Sequence, residues 1–222
     1  MIYHVEAIKR DVRACIDQDR TSDALVTEGD MDVLMLDKVV ESKIAEAVER
    51  VHSEAPYYML ESVAHNFEGA SATIYWQGSD DTCGWVLLPQ DFLRLVVFEM
   101  SDWEKAVYLP ISTDNPKYAR QRGRVKGLRG NAQRPVCVVA VRPEGRVLEF
   151  YSCKSRQATM VKRMYVSKPE IVDDENHIAG IDISEQCYTA VVYTAAALTL
   201  VSCGEADKAK TMFEMAKTYL TR

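Results

Sequence analysis

The most distinctive chemistry in this sequence is a concentration of positive charge between Lys117 and Arg134. This stretch, called the basic segment below, contains seven cations and no acidic residue. Its charge of +7 within a chain of net charge −6 leaves −13 on the remaining residues. Three glycines predict a long mobile loop, a kind of segment that usually serves binding. The candidate partner-binding residues are Lys117, Arg120, Arg122, Arg124, Lys126, Arg129 and Arg134.

Three interpretations of the basic segment remain open from the residues alone. The cations can dock onto an acidic neighbouring protein, because opposite surface potentials attract. They can also contact nucleic-acid phosphates, which bind lysine and arginine without regard to base sequence. The third interpretation is a charged loop that only faces solvent.

Catalytic and metal-binding signatures are missing from the sequence. It contains no phosphate-cradling glycine loop, no HExxH run, no nucleophile elbow and no paired zinc-ligand spacing. The acidic groups Asp80-Asp81 and Asp173-Asp174-Glu175 lie in polar, turn-like stretches, so we interpret them as solvated loop charge. A metal-dependent nuclease would need carboxylates that converge from several elements. We therefore predict no enzymatic activity, no metal site and no cofactor.

Composition places the chain among ordinary globular proteins. Its 222 residues are 47% apolar and 27% charged, enough for one large domain or two small ones. The six cysteines are scattered without a CxxC pair, which predicts reduced thiols in a protein made in a cytosol. No signal peptide is recognisable at the N-terminus. The longest uncharged stretch, residues 186–204, is interpreted as a buried helix and not as a membrane span.

Apolar residues recur at helical spacing near both ends of the chain. The first helix is predicted from Ile2, Val5, Ile8, Val12 and Cys15/Ile16, and a second, capped by Asp30, from Val33, Leu36, Val40, Ile44, Ala47 and Val51. Ser184 is predicted to cap a helix over 185–202, with Gly204 at its end. A last helix is predicted over 205–220.

The middle of the chain has the pattern of strands. Alternating apolar and polar residues predict strands over 71–76, 84–88, 92–100, 106–109, 135–141, 146–152 and 159–166. Arg142-Pro143-Glu144-Gly145 predicts a hairpin turn, because proline fixes φ and glycine accepts a left-handed conformation. Segregated helices and strands predict the α+β class. We expect a helical bundle from residues 1–68 and 183–222 with an inserted antiparallel β-rich lobe over 69–182.

Several runs of residues are informative as strings. They are Leu88–Leu95 (LPQDFLRL), Met100–Glu104 (MSDWE), Arg129–Asn131 (RGN), Pro135–Cys137 (PVC), Gly145–Tyr151 (GRVLEFY) and the closing helices from Asp182 to Tyr219. Taken in order, these runs resemble the adaptor proteins of the tailed-phage neck, those of crAss-like podoviruses in particular. The similarity covers residues 83 to the C-terminus, and the N-terminal portion shows none.

The resemblance implies a structural virion protein with no catalytic residue. In that family a helical bundle with a β-rich insertion forms a ring, commonly of twelve copies, beneath the portal. The ring connects the capsid to the tail and continues the DNA channel. The resemblance thus implies other copies, the portal and further neck proteins as partners, no sequence-specific DNA binding, no membrane, and assembly in the host cytoplasm.

Two other functions compete with the adaptor role. They are a nucleic-acid-binding module that uses the basic segment and a metal-dependent nuclease. We expect the basic segment to be the main contact between subunits or with the portal. A conduit for ejected DNA should avoid strong phosphate binding, which would slow transit.

Overall fold

Helices occupy both ends of the chain and strands occupy its middle, which confirms the α+β class. The structure is a computed structural model that describes residues 1–17, 31–77, 82–123, 125–174 and 177–221. Two compact units are present: the helical unit, Met1–Val63 with Lys168–Arg222, and the β unit, Ala64–Ser167. The β lobe expected from the sequence, 69–182, begins and ends later in the chain than the β unit does. Residues 168–182 group with the helical unit because they form strands that pair with its N-terminal strand.

The described residues form strands and helices that are largely segregated along the chain, with one short helix among the strands of the β unit. In chain order they are β1 (Ile2–His4), α1 (Val5–Asp17), α2 (Met31–Glu54), β2 (Ala64–Asn66), β3 (Tyr75–Trp76), β4 (Gly84–Leu87), β5 (Phe92–Met100), β6 (Ile111–Ser112), α3 (Pro116–Arg122), β7 (Cys137–Arg142), β8 (Gly145–Phe150), β9 (Met160–Ser167), β10 (Ile171–Asp174), β11 (His177–Asp182), α4 (Tyr188–Ser202) and α5 (Ala206–Leu220). Short 3-10 turns join several of them.

Helix α4 is the centre of the helical unit and contacts α1, α2 and α5. It is uncharged, and nearly all of its residues from Ala190 to Leu200 are buried, as predicted for this stretch. In the part of the chain that the structure describes, no helix is long and apolar enough to cross a membrane. The terminal helices therefore form one bundle around an apolar axis.

The predicted apolar stripes of α1 and α2 are buried along their central parts. Val5, Ile8 and Val12 are at most 2% exposed, and Val40 and Ile44 are fully buried. Other members of the stripes are less covered: Ile2 belongs to β1 and is exposed, and Cys15, Ile16 and Leu36 are half-buried. The side chain of Val33 lies outside the described residues. The predicted Asp30 cap lies outside the described residues.

The predicted helix cap at Ser184 is wrong. Its hydroxyl donates a hydrogen bond to the carbonyl oxygen of Met59 and makes no capping bond. A 3-10 turn over Glu185–Cys187 follows, and α4 begins only at Tyr188. Ser184 therefore ties the start of α4 to the chain that follows α2.

Two sheets build the β unit. One has the order β2-β9-β5 and the other the order β3-β4-β8-β7-β6, with every pair antiparallel except β6 with β7. Aromatic side chains fill the core: the Phe98 ring stacks on Phe150 at 5.9 Å, and Trp103 packs against Phe98 at 5.8 Å. The predicted turn between β7 and β8 is confirmed, with Gly145 at φ +131°. The predicted strand over 106–109 is only a single bridge, from Val107 to Phe98.

Candidate partner-binding surface

The basic segment folds as a helix followed by turns, so the expectation of a long loop is wrong. Asn115 is the N-cap of α3, and its side chain accepts a hydrogen bond from the backbone N–H of Lys117 at 3.0 Å. Pro116 occupies the first helical position, where its missing N–H costs nothing. A 3-10 turn over Lys126–Leu128 follows α3. The Asn-Pro pair was a usable helix-start signal in the sequence.

A buried glutamine connects the two ends of the segment. Gln121 is only 4% exposed. Its Nε2 donates to the carbonyl oxygen of Lys117 at 3.2 Å, and its Oε1 accepts from the backbone N–H of Gly130 at 2.7 Å. Both the nitrogen and the oxygen of this side-chain amide are therefore hydrogen-bonded, which fixes α3 against the turn that follows it.

Arg129 acts as a clamp inside the segment. Its Nε and Nη2 donate to the carbonyl oxygen of Gly123 at 2.9 and 2.7 Å, and its Nη1 lies 3.7 Å from Sγ of Cys83. The side chain is half-buried. Of the seven predicted binding residues, this one holds the others in place, a role that the sequence did not reveal.

Helix α3 is held on the β unit by an aromatic contact. Tyr118 packs against a buried cluster that includes Val138 and Tyr151. The Arg122 guanidinium lies over the ring of Tyr118, 5.4 Å from its centroid. Beneath the cluster, the Tyr151 hydroxyl donates to buried Glu149, and burial together with this hydrogen bond raises the pKa of Tyr151 well above its ordinary value. The Glu149 carboxylate also accepts a hydrogen bond from Nε of Arg142 at 2.8 Å, so its charge is paired.

The outer surface of the segment combines cations with apolar side chains. Val125 is 61% exposed and Leu128 is 63% exposed. Around them, the exposed cations are Lys117, Arg120, Arg122 and Arg134. Arg124 and the side chain of Lys126, which the sequence also predicted as binding residues, lie outside the described residues. The structure therefore brings four predicted binding residues to one folded, exposed segment.

A cleft of about 400 Å³ lies at the base of the basic segment. Its lining includes Glu104, Arg129, Tyr151, Cys153 and Lys154. Burial raises the pKa of the Cys153 thiol, so at neutral pH the sulfur is protonated and a poor nucleophile. The cleft could therefore accommodate a partner side chain among groups of both charges. Its cysteine is not activated as a nucleophile.

The side chains that the structure describes form no cluster that could hold a metal ion. Within that set, no three His, Cys, Asp or Glu residues come together as possible ligands. Asp80 and Asp81 lie outside the described residues, as do the side chains of residues 173–175. All six cysteines are free thiols, and four of them are buried.

Comparison with known proteins gives no family assignment. No protein-family model matches the chain, and no curated protein is similar to it in sequence. Function is therefore inferred from the residues, from the geometry of the basic segment and from the resemblance described above.

Proposed function

We propose that this protein is a subunit of a head-to-tail adaptor ring in the neck of a tailed phage. In this role it docks beneath the portal, connects the capsid to the tail and continues the DNA channel. Its partners are other copies of the chain, the portal and neighbouring neck proteins, within a virion assembled in the host cytoplasm. The observation that supports this proposal best is the folded segment that exposes both cations and apolar side chains.

The apolar side chains favour a protein partner over a phosphate backbone. Val125 and Leu128 gain free energy only if a partner removes them from water, at about 25 cal/mol per Å² of buried apolar area. Phosphate groups offer no such contact, whereas protein interfaces are enriched in arginine and apolar anchors. The proposal therefore assigns the segment to protein docking.

The internal bonds of the segment also suit a docking role. The Gln121 and Arg129 contacts order the segment before any partner arrives. A surface that is already ordered loses less conformational entropy on binding than a flexible loop does. In this proposal the segment is already ordered before the ring forms, unlike the mobile loop expected from its three glycines.

The proposal is tested by reconstituting the assembly from purified parts. The full chain is mixed with the portal protein encoded by the same genome, and complexes are followed by native mass spectrometry and negative-stain microscopy. We expect symmetric rings that bind the portal. The variant R120S/R122S should lose ring formation or portal binding. The matched control is K208S/K210S, which removes two exposed cations at the start of α5 and should assemble normally.

Other outcomes would favour the competing functions. A monomer that binds duplex DNA with steep salt dependence, and that loses this binding in R120S/R122S, would favour the nucleic-acid-binding module. DNA cleavage that requires a divalent metal would favour the nuclease. A wild-type chain that neither forms rings nor binds the portal would contradict the adaptor proposal.

A further inference from the structure

The two compact units carry formal charges of opposite sign. The helical unit has 23 Asp and Glu against 12 Lys and Arg, a net charge of −11. The β unit has 15 Lys and Arg against 10 Asp and Glu, a net charge of +5. Like units of two copies therefore repel each other, whereas the helical unit of one copy attracts the β unit of another.

The helical unit presents an acidic surface where α2 ends. No lysine or arginine occurs between Val51 and Val63. The 3-10 turn Glu185–Cys187 packs against the 3-10 turn Tyr57–Met59, which brings a further glutamate to this end of the unit. We call this surface the acidic face, and its exposed residues are Glu54, Tyr57, Tyr58, Glu61 and Glu185.

The acidic face exposes apolar side chains as well as charged ones, and so does the basic segment. Tyr57 is 48% exposed and Tyr58 is 45% exposed, and glutamates flank the pair in sequence. On the basic segment, Val125 and Leu128 are exposed among cations. The two surfaces thus match in both respects: each combines exposed apolar side chains with charged ones, and their charges have opposite sign.

We infer that the acidic face of one copy binds the basic segment of a second copy. This inference rests on the assembly role proposed above and names the partner of the basic segment. Tyrosine rings suit the contact because arginine guanidinium groups stack on aromatic faces. Because the two surfaces differ, the contact is head-to-tail and is repeated from copy to copy. Such a contact closes into a ring when the rotation between copies permits.

Charge reversal of each surface tests this pairing with the full chain. R120E/R122E lowers the charge of the basic segment from +7 to +3, and E54K/E61K changes the charge of the three glutamate positions on the acidic face from −3 to +1. By sedimentation velocity at low salt, we expect the wild-type chain to associate and each variant alone to remain monomeric. An equimolar mixture of the two variants should associate again in pairs, because the intact acidic face of R120E/R122E then meets the intact basic segment of E54K/E61K. The control K208E/K210E, which reverses two exposed lysines on α5, should associate like the wild type.

Three results would overturn the pairing. They are association of R120E/R122E alone at the wild-type level, failure of the mixture to associate, and a wild-type chain that stays monomeric at low salt. The first two leave the adaptor proposal standing, because the rings then form through other surfaces. A wild-type chain that stays monomeric overturns the pairing, and the portal-binding assay then shows whether the adaptor proposal fails as well. Monomers that bind the portal retain the adaptor role.

Discussion

The backbone N–H of Ser184 donates a hydrogen bond to Nε2 of His52 at 3.3 Å, within the buried part of the helical unit. His52 must be neutral to accept it, since a protonated imidazole has no lone pair to offer. Burial lowers the pKa of His52 to about 4, with Asp182 opposing that shift and the N-terminal ammonium adding to it. Neutral His52 therefore joins α2 to the start of α4.

The stability of the helical unit should depend on the protonation of His52. In the unfolded chain this side chain titrates near pH 6.5, so between about pH 6.5 and pH 4 the unfolded state binds more protons. Acidification across that window should cost the wild type up to roughly 3 kcal/mol more than H52Q, which keeps an acceptor but does not titrate. Urea unfolding at a series of pH values measures the difference. Parallel pH profiles for the two proteins would contradict it.

The close approach of Gly130 to its neighbours should make this position intolerant of a side chain. A Cβ added there would lie 2.6 Å from Oγ of Ser152, the atom that accepts the backbone N–H of Val136. We expect G130A to lower the free energy of unfolding by about 1–3 kcal/mol.

Gly127 provides the matched control within the same segment, since a Cβ there would meet nothing within 4 Å. G127A should change stability by less than about 0.5 kcal/mol. Chemical denaturation of both variants, with hydrogen exchange of the amides over 121–130, reports the effect. Equal stability of G130A and G127A would show that the segment is not packed as described.

The loss of stability caused by an aspartate substitution on a helix stripe should depend on how deeply the replaced side chain is buried. Ile44 is fully buried on α2, so I44D should cost about 3–5 kcal/mol. Met212 on α5 is only half-buried, and the buried positions of that helix are Ala209, Ala216 and Leu220. M212D should therefore cost only about 1–2 kcal/mol. Thermal or urea unfolding ranks the two, and an equal or reversed ranking would contradict the packing of α5.

The thiols should differ sharply in reactivity. Cys203 is exposed, whereas burial raises the pKa of Cys137 and of Cys153 and shields both from reagents. Brief treatment of the native protein with a maleimide, followed by mass spectrometry, should modify Cys203 first and leave the buried pair intact. C137A and C153A should each lose about 1–2 kcal/mol of stability and still assemble. Early labelling of Cys153, or a disulfide in fresh protein, would be inconsistent with this arrangement.

Periodicity predicted the long elements because their burial repeats along the chain. The helices were recognisable from stripes such as Val40 and Ile44, and the β7–β8 hairpin from its proline and glycine. Strand β1 was missed because its pairing partner, β11, lies far away in the sequence, and pairing at that distance leaves no local pattern. Ser184 was misjudged because nothing local shows that its hydroxyl meets the Met59 carbonyl.

The candidate site was predicted as a set of charges and not as a structure. Counting cations found the basic segment, and the Asn115-Pro116 pair carried an unused signal for α3. The clamp by Arg129 depends on where the carbonyl of Gly123 lies, which composition does not show. The acidic face was missed for a similar reason, because Glu185 comes near the end of α2 only through the packing of two 3-10 turns.

The most direct test of the adaptor role is a cryo-electron microscopy reconstruction of the neck in intact virions that carry this chain. We expect a ring of this protein immediately beneath the portal, with Arg120 and Arg122 of each copy against the acidic face of the next copy. A neck that lacks this chain would contradict the adaptor role. A ring whose Arg120 and Arg122 side chains line the DNA channel and touch no protein would contradict the docking role of the basic segment.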